Sequence, residues 1–184
     1  TEVIHLDDFK IFFCKHCEEC HKNLLHCSVP DDVHLILKQM LDADGIIFAS
    51  PNYINQVTAS MKALFDRSAH FIHCKRLLGK YVAGVVSSGS GQNKEVLDYI
   101  RYYANTCGAQ YSGGASCGIQ VGREQTDKAC ALGKKLAADI REKRAYPQQQ
   151  EFIETGRKHF REIIKLRKND WQQEYAYWLD KGWL

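Results

Sequence analysis

The sequence predicts an α/β protein: a parallel sheet with helices on both faces, followed by a C-terminal helical and aromatic extension. Three observations predict it. Apolar runs alternate with amphipathic segments, which is the pattern of βα units. The runs GIIFAS (45–50) and KYVAGVV (80–86) are continuously apolar, as strands buried on both faces are. Both runs end in turns rich in Pro, Gly, Ser and Asn, and the alternation stops at Pro147.

In chain order, EVIHL reads as a short strand and is followed by a loop dense in cysteine. DDVHLILKQMLDA places Val33, Ile36, Leu37, Met40 and Leu41 at helical spacing, with Asp31 as N-cap. GIIFAS is the next strand, PNYINQ a turn, and TASMKALFDRSAHF a helix with Met61, Leu64 and Phe65 on one stripe. A third strand, KYVAGVV, ends in SSGSGQ; the helix KEVLDYIRYYANT follows. AQYSGGASCGIQ is a final strand and EQTDKACALGKKLAADIREK a final helix of the sheet domain. The expected division is a sheet domain over 1–146 and an extension over 147–184. In the extension EFIETGRKHFREIIKLRKND is a basic amphipathic helix and WQQEYAYWLDKGWL is aromatic and irregular.

A chain of 184 residues can bury a full core without covalent staples. Its apolar fraction and mixed charge argue against disorder, and no apolar run approaches the roughly 20 residues that span a bilayer. A net charge of +3 gives no reason to expect a nucleic-acid partner. The eight cysteines are not needed to hold a core, and four of them sit in one loop. This usage fits a reducing, cytoplasmic setting, with thiols reserved for metal or redox chemistry.

The loop is CKHCEECHKNLLHC. Cys14, Cys17 and Cys20 follow at C-x2-C-x2-C spacing and Cys27 closes the set. Three thiolates at two-residue intervals can converge on one centre, as in the local runs that hold [4Fe–4S] clusters. Structural zinc more often takes two separated pairs. Here no second pair exists, although His16, His21 and His26 offer alternative ligands, and free or oxidised thiols are the plain alternative. Lys15, His16 and Lys22 would offset thiolate charge; Glu18 and Glu19 would oppose them.

Two turns lie at the carboxyl ends of buried strands, where open α/β sheets bind ligands. In SPNYI, Ser50, Pro51, Asn52, Tyr53 and Ile54 present a fixed backbone angle, N–H groups near a helix start and an aromatic face. In SSGSGQ, Gly89 and Gly91 let a ligand approach the backbone, while Ser88, Ser90 and Gln92 supply hydrogen bonds. Neither a G-x-G-x-x-G fingerprint nor a Walker lysine is present. Each turn alone is as compatible with an ordinary strand–helix connection; two facing one crevice reinforce each other.

Other residues read more plainly. Cys74, Cys107, Cys117 and Cys130 suit small core positions, with Cys117 near the last strand end. His70 and His73 suit surface or packing roles, and Asp66–Arg67 a structural ion pair or an interface contact. Trp171, Tyr175, Tyr177, Trp178 and Trp183 suit a hydrophobic clasp or subunit contact. The basic stripe Arg157, Lys158, Arg161, Lys165 and Lys168 suits solvent, or docking of an acidic ferredoxin-like partner.

Taken together, the cysteine run, DD, DGIIFASPNY, MKALFDR and SSGSGQ resemble the iron–sulfur flavoproteins of the flavodoxin-like NAD(P)H-dependent FMN reductase family. The resemblance implies a three-layer flavodoxin-like sandwich with strand order 2-1-3-4-5 and FMN at the carboxyl edge. By position it makes Cys14, Cys17, Cys20 and Cys27 ligands of a [4Fe–4S] cluster. It lines the flavin with Ser50 to Tyr53 and Ser88 to Gln92. It also implies NAD(P)H as a further cofactor, a ferredoxin-like or small-molecule redox partner, and a homodimer or homotetramer that brings cluster and flavin together. The chain departs from the family where Asn55 stands near a usual Gly. The strand EVIHL corresponds to the second strand of such a sheet, so the first, with its phosphate loop, is expected to lie outside this sequence. Two other functions fit less of the chain: an NAD(P)H-dependent FMN or quinone reductase without a cluster, and a zinc-stabilised binding module.

Overall fold

A computed structural model describes residues 1–184. The sheet has three parallel strands in the order β1-β2-β3: β1 is Gly45–Pro51, β2 Tyr81–Ser87 and β3 Gln110–Cys117. The register aligns Pro51 with Ser87 and Ser87 with Cys117, so all three strands end on one carboxyl edge. Helices α1 (Glu19–Lys22), α2 (Val33–Asp42), α3 (Ala59–Asp66), α4 (Ala69–His73) and α5 (Asn93–Thr106) precede β3. After it come α6 (Arg123–Glu142), α7 (Pro147–Leu166) and α8 (Gln172–Asp180).

The apolar stripes foreseen in α2 and α3 meet the sheet. Val33, Ile36, Leu37 and Met40 join Met61, Leu64 and Phe65, with Val96 and Ile100 of α5, over Phe48, Val82 and Val86. The opposite face is covered by α6, whose Leu132 and Leu136 pack on Tyr81, Ala83 and Ala115. Three layers result. Close packing explains Gly84: a Cβ there would lie 2.7 Å from the Tyr111 hydroxyl and 2.9 Å from Leu97.

Several expectations are corrected. EVIHL forms no strand; a 3-10 turn, Leu6–Asp8, occupies part of it. No neighbouring strand offers it a ladder, and a strand without partners gains nothing from extending. Unlike β2, β1 is not buried on both faces: it lies at the sheet edge and Ile47 is 50% exposed. Asp32, not Asp31, is the residue before α2, although the Asp31 carboxylate still accepts from the Val33 N–H at 3.2 Å. The segment TASMKALFDRSAHF breaks at Arg67–Ser68 into α3 and α4, with Thr58 accepting from the Met61 N–H at the start. The stretch expected to be irregular after Trp171 contains α8. Cys130 is exposed, whereas Cys74 and Cys107 are core residues as expected.

The C-terminal helices complete the sheet domain from outside. Gln149, in the first turn of α7, accepts from the Tyr111 N–H (2.6 Å) and donates to the Tyr111 carbonyl (3.0 Å) on the free side of β3. A side-chain amide thus pairs backbone groups that an edge strand would leave open. Farther on, Ile164, Trp171 and Trp178 bury Cys74 in a separate apolar cluster.

Candidate functional sites at the cysteine loop and the sheet edge

The cysteine loop has little regular structure; α1 is a single turn. His16, Glu18 and Leu25 adopt positive φ (51°, 59° and 62°), which side chains other than glycine seldom do. These reversals fold the loop back on itself. All four thiols are free; Cys14 and Cys17 are exposed, and Cys20 and Cys27 are half-buried. Burial, then the charges of Glu174, Cys27, Cys14 and Cys17, push the Cys20 thiol up to about 12. The Cys17 thiol is instead held below its ordinary value, chiefly by the Ser28 hydroxyl at 3.0 Å.

A buried ion pair anchors the base of this loop. Arg67 meets Asp31 through two parallel hydrogen bonds, Nη1 to Oδ2 (2.6 Å) and Nη2 to Oδ1 (3.0 Å). Asp31 also accepts from the Phe12 N–H, and Arg67 donates to the Phe12 carbonyl, each at 2.7 Å. Lys10 N–H donates to Asp32 at 2.8 Å. Residues 10–12 are thereby fixed just ahead of Cys14. Burial alone would push the Asp31 carboxyl up; the Arg67 hydrogen bonds outweigh it and hold Asp31 below the usual range. The guanidinium also lies beside Cys27, and its buried Nε has no partner in the chain.

The expected Asp66–Arg67 pair does not form: Asp66 pairs with Lys62. What was legible as two separate motifs, DD and MKALFDR, is one anchor. The charges near the thiols are also rearranged, since Glu18 is neutralised by Arg167 at 2.6 Å and by the Trp171 indole N–H at 3.2 Å. Four thiols from one loop are the donor set of an iron–sulfur cluster, but the structure does not draw their sulfurs into one close group; the close group of ligand-type atoms is His21, His73 and Glu174.

The second candidate site is the carboxyl edge of the sheet. After β1 the chain turns through Tyr53–Gln56, closed by reciprocal backbone bonds of 3.1 Å, with Ile54 and Asn55 at φ 52° and 58°. Asparagine tolerates this left-handed conformation better than most side chains, so Asn55 holds the turn without glycine. Ile54 is β-branched, is strained there, and is 98% exposed. Tyr53 is 65% exposed. Ser50 is turned inward: its hydroxyl donates to the Pro51 carbonyl and accepts from the Thr58 N–H, leaving it no spare hydrogen for a ligand.

Asn52 ties the two turns together. Its Nδ2 donates to the Ser88 hydroxyl (3.1 Å) and to the Gln92 carbonyl (2.9 Å), while its N–H donates to the Ser87 carbonyl (2.7 Å). Ser88 and Ser90 hydroxyls lie 3.1 Å apart, and Gly91 holds φ 79° in open space. The buried Oδ1 atoms of Asn52 and Asn93 have no donor in the chain. The two turns form a backbone-lined rim at the start of α5, and both of these oxygens are buried behind it.

The family model for NADPH-dependent FMN reductases matches residues 1–122. The chain belongs to that family. It is accordingly an FMN-dependent oxidoreductase. An iron–sulfur flavoprotein of Archaeoglobus fulgidus is 31% identical over 189 residues, covering all of this chain and 85% of the relative. An iron–sulfur flavoprotein of Methanocaldococcus jannaschii is 42% identical over 93 residues, half of this chain and 47% of that protein. Among solved structures, a flavone reductase aligns with TM-score 0.61 at 20% identity, over 76% of this chain and 52% of its own. An NADH:FMN oxidoreductase aligns with TM-score 0.53 at 19% identity, over 80% and 74%. These structural likenesses support the flavodoxin-like α/β fold. No helix is long and apolar enough to cross a membrane.

Sequence reasoning missed Arg67 as the partner of Asp31, and missed His21, His73 and Glu174 as a group. Only the resemblance of DD and MKALFDR to a family pattern pointed toward the first; no local signal marks the second.

Proposed function

We propose that this oxidoreductase carries FMN at the sheet edge and a [4Fe–4S] cluster on Cys14, Cys17, Cys20 and Cys27, and passes electrons between them. The observation that carries the reading is the loop itself: four free thiols within fourteen residues, with Arg67 beside Cys27, on a chain whose sheet edge carries two turns tied together by Asn52. When bound, a flavin exchanges electrons in pairs or singly and a cluster one at a time, so together they convert between the two modes.

The chain's own residues supply position and electrostatics. Asn52 locks the two turns, and Ser88 to Gln92 offer backbone and hydroxyl groups to the ring and its side chain. Tyr53 and Ile54 project from the rim and bound one face of the ring. Arg67 offsets the charge of the thiolates, and Ser28 favours the thiolate form of Cys17. No nucleophilic side chain is required; the reactive centres belong to the cofactors. NAD(P)H is the hydride donor suggested by the family's name, and a ferredoxin-like protein or small molecule of a reducing compartment takes up single electrons. Phe13, Ile54, Ile119 and Val121 are exposed and apolar, which supports a second copy of the chain covering the loop and the edge.

The test is composition under strictly anaerobic conditions. Protein should contain about four irons per chain, equimolar FMN and a reducible cluster. Cys17→Ala should abolish the iron and spare the flavin. Iron unchanged by that substitution would sink the assignment. Iron-free protein that oxidises NAD(P)H steadily would point to a plain FMN or quinone reductase, and zinc without flavin to a binding module.

A further inference from the structure

A group of buried ionisable side chains lies beneath the cysteine loop, outside both proposed cofactor sites. His21 Nδ1 is 2.6 Å from Glu174 Oε1, and His73 Nδ1 is 3.0 Å from Glu174 Oε2. Glu174 is fully buried, and its only ionic partners are these two rings. Burial would push its carboxyl up; the hydrogen bonds from His21 and His73 outweigh it and hold Glu174 below the usual range. An ionised carboxylate only accepts, so each ring presents an Nδ1–H to it. The two rings stack at 4.8 Å with a 16° interplanar angle, and Trp171 packs against both at 4.6 and 4.8 Å.

The three donor atoms are near enough to one another to suggest a single metal ion. Their arrangement argues otherwise. They are satisfied by each other at hydrogen-bond distance, and near-parallel rings do not aim at a common point as ligands of one ion do. The geometry is that of a brace: one carboxylate on α8 holds a ring from the cysteine loop and a ring from α4.

The loop needs such a brace. Its three non-glycine residues at positive φ are in conformations that local preference does not hold, so tertiary contacts must over-determine them. Those contacts come from the same stretch of chain. Gln173 Oε1 accepts from the Leu24 N–H at 2.8 Å, Arg167 and Trp171 hold Glu18, and the Trp178 indole donates to the His73 carbonyl at 3.2 Å. His21 is adjacent in sequence to Cys20.

We propose that Glu174 is a positioning residue for the cluster-binding loop, fixing Cys20 through His21 and so setting the arrangement of the four thiols. The proposal rests on the cluster reading above. It assigns the C-terminal helix α8 a direct part in holding a centre whose ligands all lie before residue 28.

The experiment uses the full chain, purified anaerobically, as wild type, Glu174→Gln, Glu174→Ala and the control Trp183→Phe. Iron, sulfide, zinc and FMN are measured per chain, together with the rate at which a ferrous chelator removes iron. Glu174→Ala should lose iron about 10- to 100-fold faster than wild type, as loss of an outer-shell partner does. Glu174→Gln should fall between them, because an amide can accept from only one of the two rings. FMN content, far-UV circular dichroism and the Trp183→Phe control should stay at wild-type values. Should Glu174→Ala not fold, the isosteric Glu174→Gln decides. Wild-type release rates in both variants would overturn the proposal. So would iron and FMN lost in step, which would make Glu174 a general fold residue, or stoichiometric zinc lost on substitution, which would make the group an ion site. Wild-type protein without iron would instead refute the cluster reading on which the proposal rests.

Discussion

The cysteine loop and the carboxyl edge of the sheet are both short, turn-rich stretches, yet they are held in opposite ways. The edge grows directly out of β1 and β2. Its turns begin where a ladder in fixed register ends, and Asn52 joins them with bonds to Ser88 and Gln92. The loop has one helical turn of its own and is held by side chains distant in sequence: Asp31 and Arg67 at its base, Glu174 and Arg167 from the C-terminus. A site built on strands inherits their rigidity. A site built on a loop must obtain rigidity from tertiary contacts, and each of these can be removed singly.

Removing the base anchor should give the largest effect. Arg67→Ala leaves Asp31 charged, buried and unpaired, which costs about 3–5 kcal/mol. Urea denaturation should show this loss, and anaerobic protein should retain less iron while any folded fraction keeps FMN. A variant that binds iron normally would mean that the loop is independent of Asp31–Arg67, and the contrast between the two sites would collapse.

The next effect concerns acid. His70, on α4 beneath the loop, is 1% exposed, and neither ring nitrogen has a partner. Burial lowers its pKa from 6.5 to about 3. The folded state therefore keeps His70 neutral while the unfolded state takes up a proton as pH falls through 6.5. Its contribution to stability is intact above 6.5 and drains away down to about pH 3, a loss on the order of 4–5 kcal/mol. His70→Leu should flatten the pH dependence of stability across that window relative to wild type. Parallel curves for the two proteins would show that His70 is not the acid-sensitive element.

The smallest effect separates strain from interface. Ile54 at positive φ costs about 1 kcal/mol or slightly more, and Ile54→Asn should recover about 0.5–1 kcal/mol in thermal unfolding of the isolated chain. If a second copy covers this exposed side chain, the same substitution should shift the assembly toward monomer in sedimentation velocity. Stability gained with no change of assembly would remove Ile54 from the proposed interface.

Much of the fold was legible because its signals are local. The continuous apolar runs of β1 and β2 and the helical stripes of α2 and α3 can be read within windows of a few residues. Where tertiary context overruled them, the reasons are specific. EVIHL has the composition of a strand but no partner strand beside it. The aromatic tail reads as irregular, yet Trp178 and Glu174 on one face of α8 give it a buried side to fold against.

The sequence by itself determined that four thiols share one loop and that two turns close the ends of buried strands, because spacing along the chain is a covalent fact. Only the tertiary structure decided what keeps those thiols in place. Asp31 meets Arg67 across 36 residues, and His21 meets Glu174 across 153. Such pairings arise when packing brings charged and polar groups out of water together and leaves each no other partner, and no local pattern of residues records that outcome in advance.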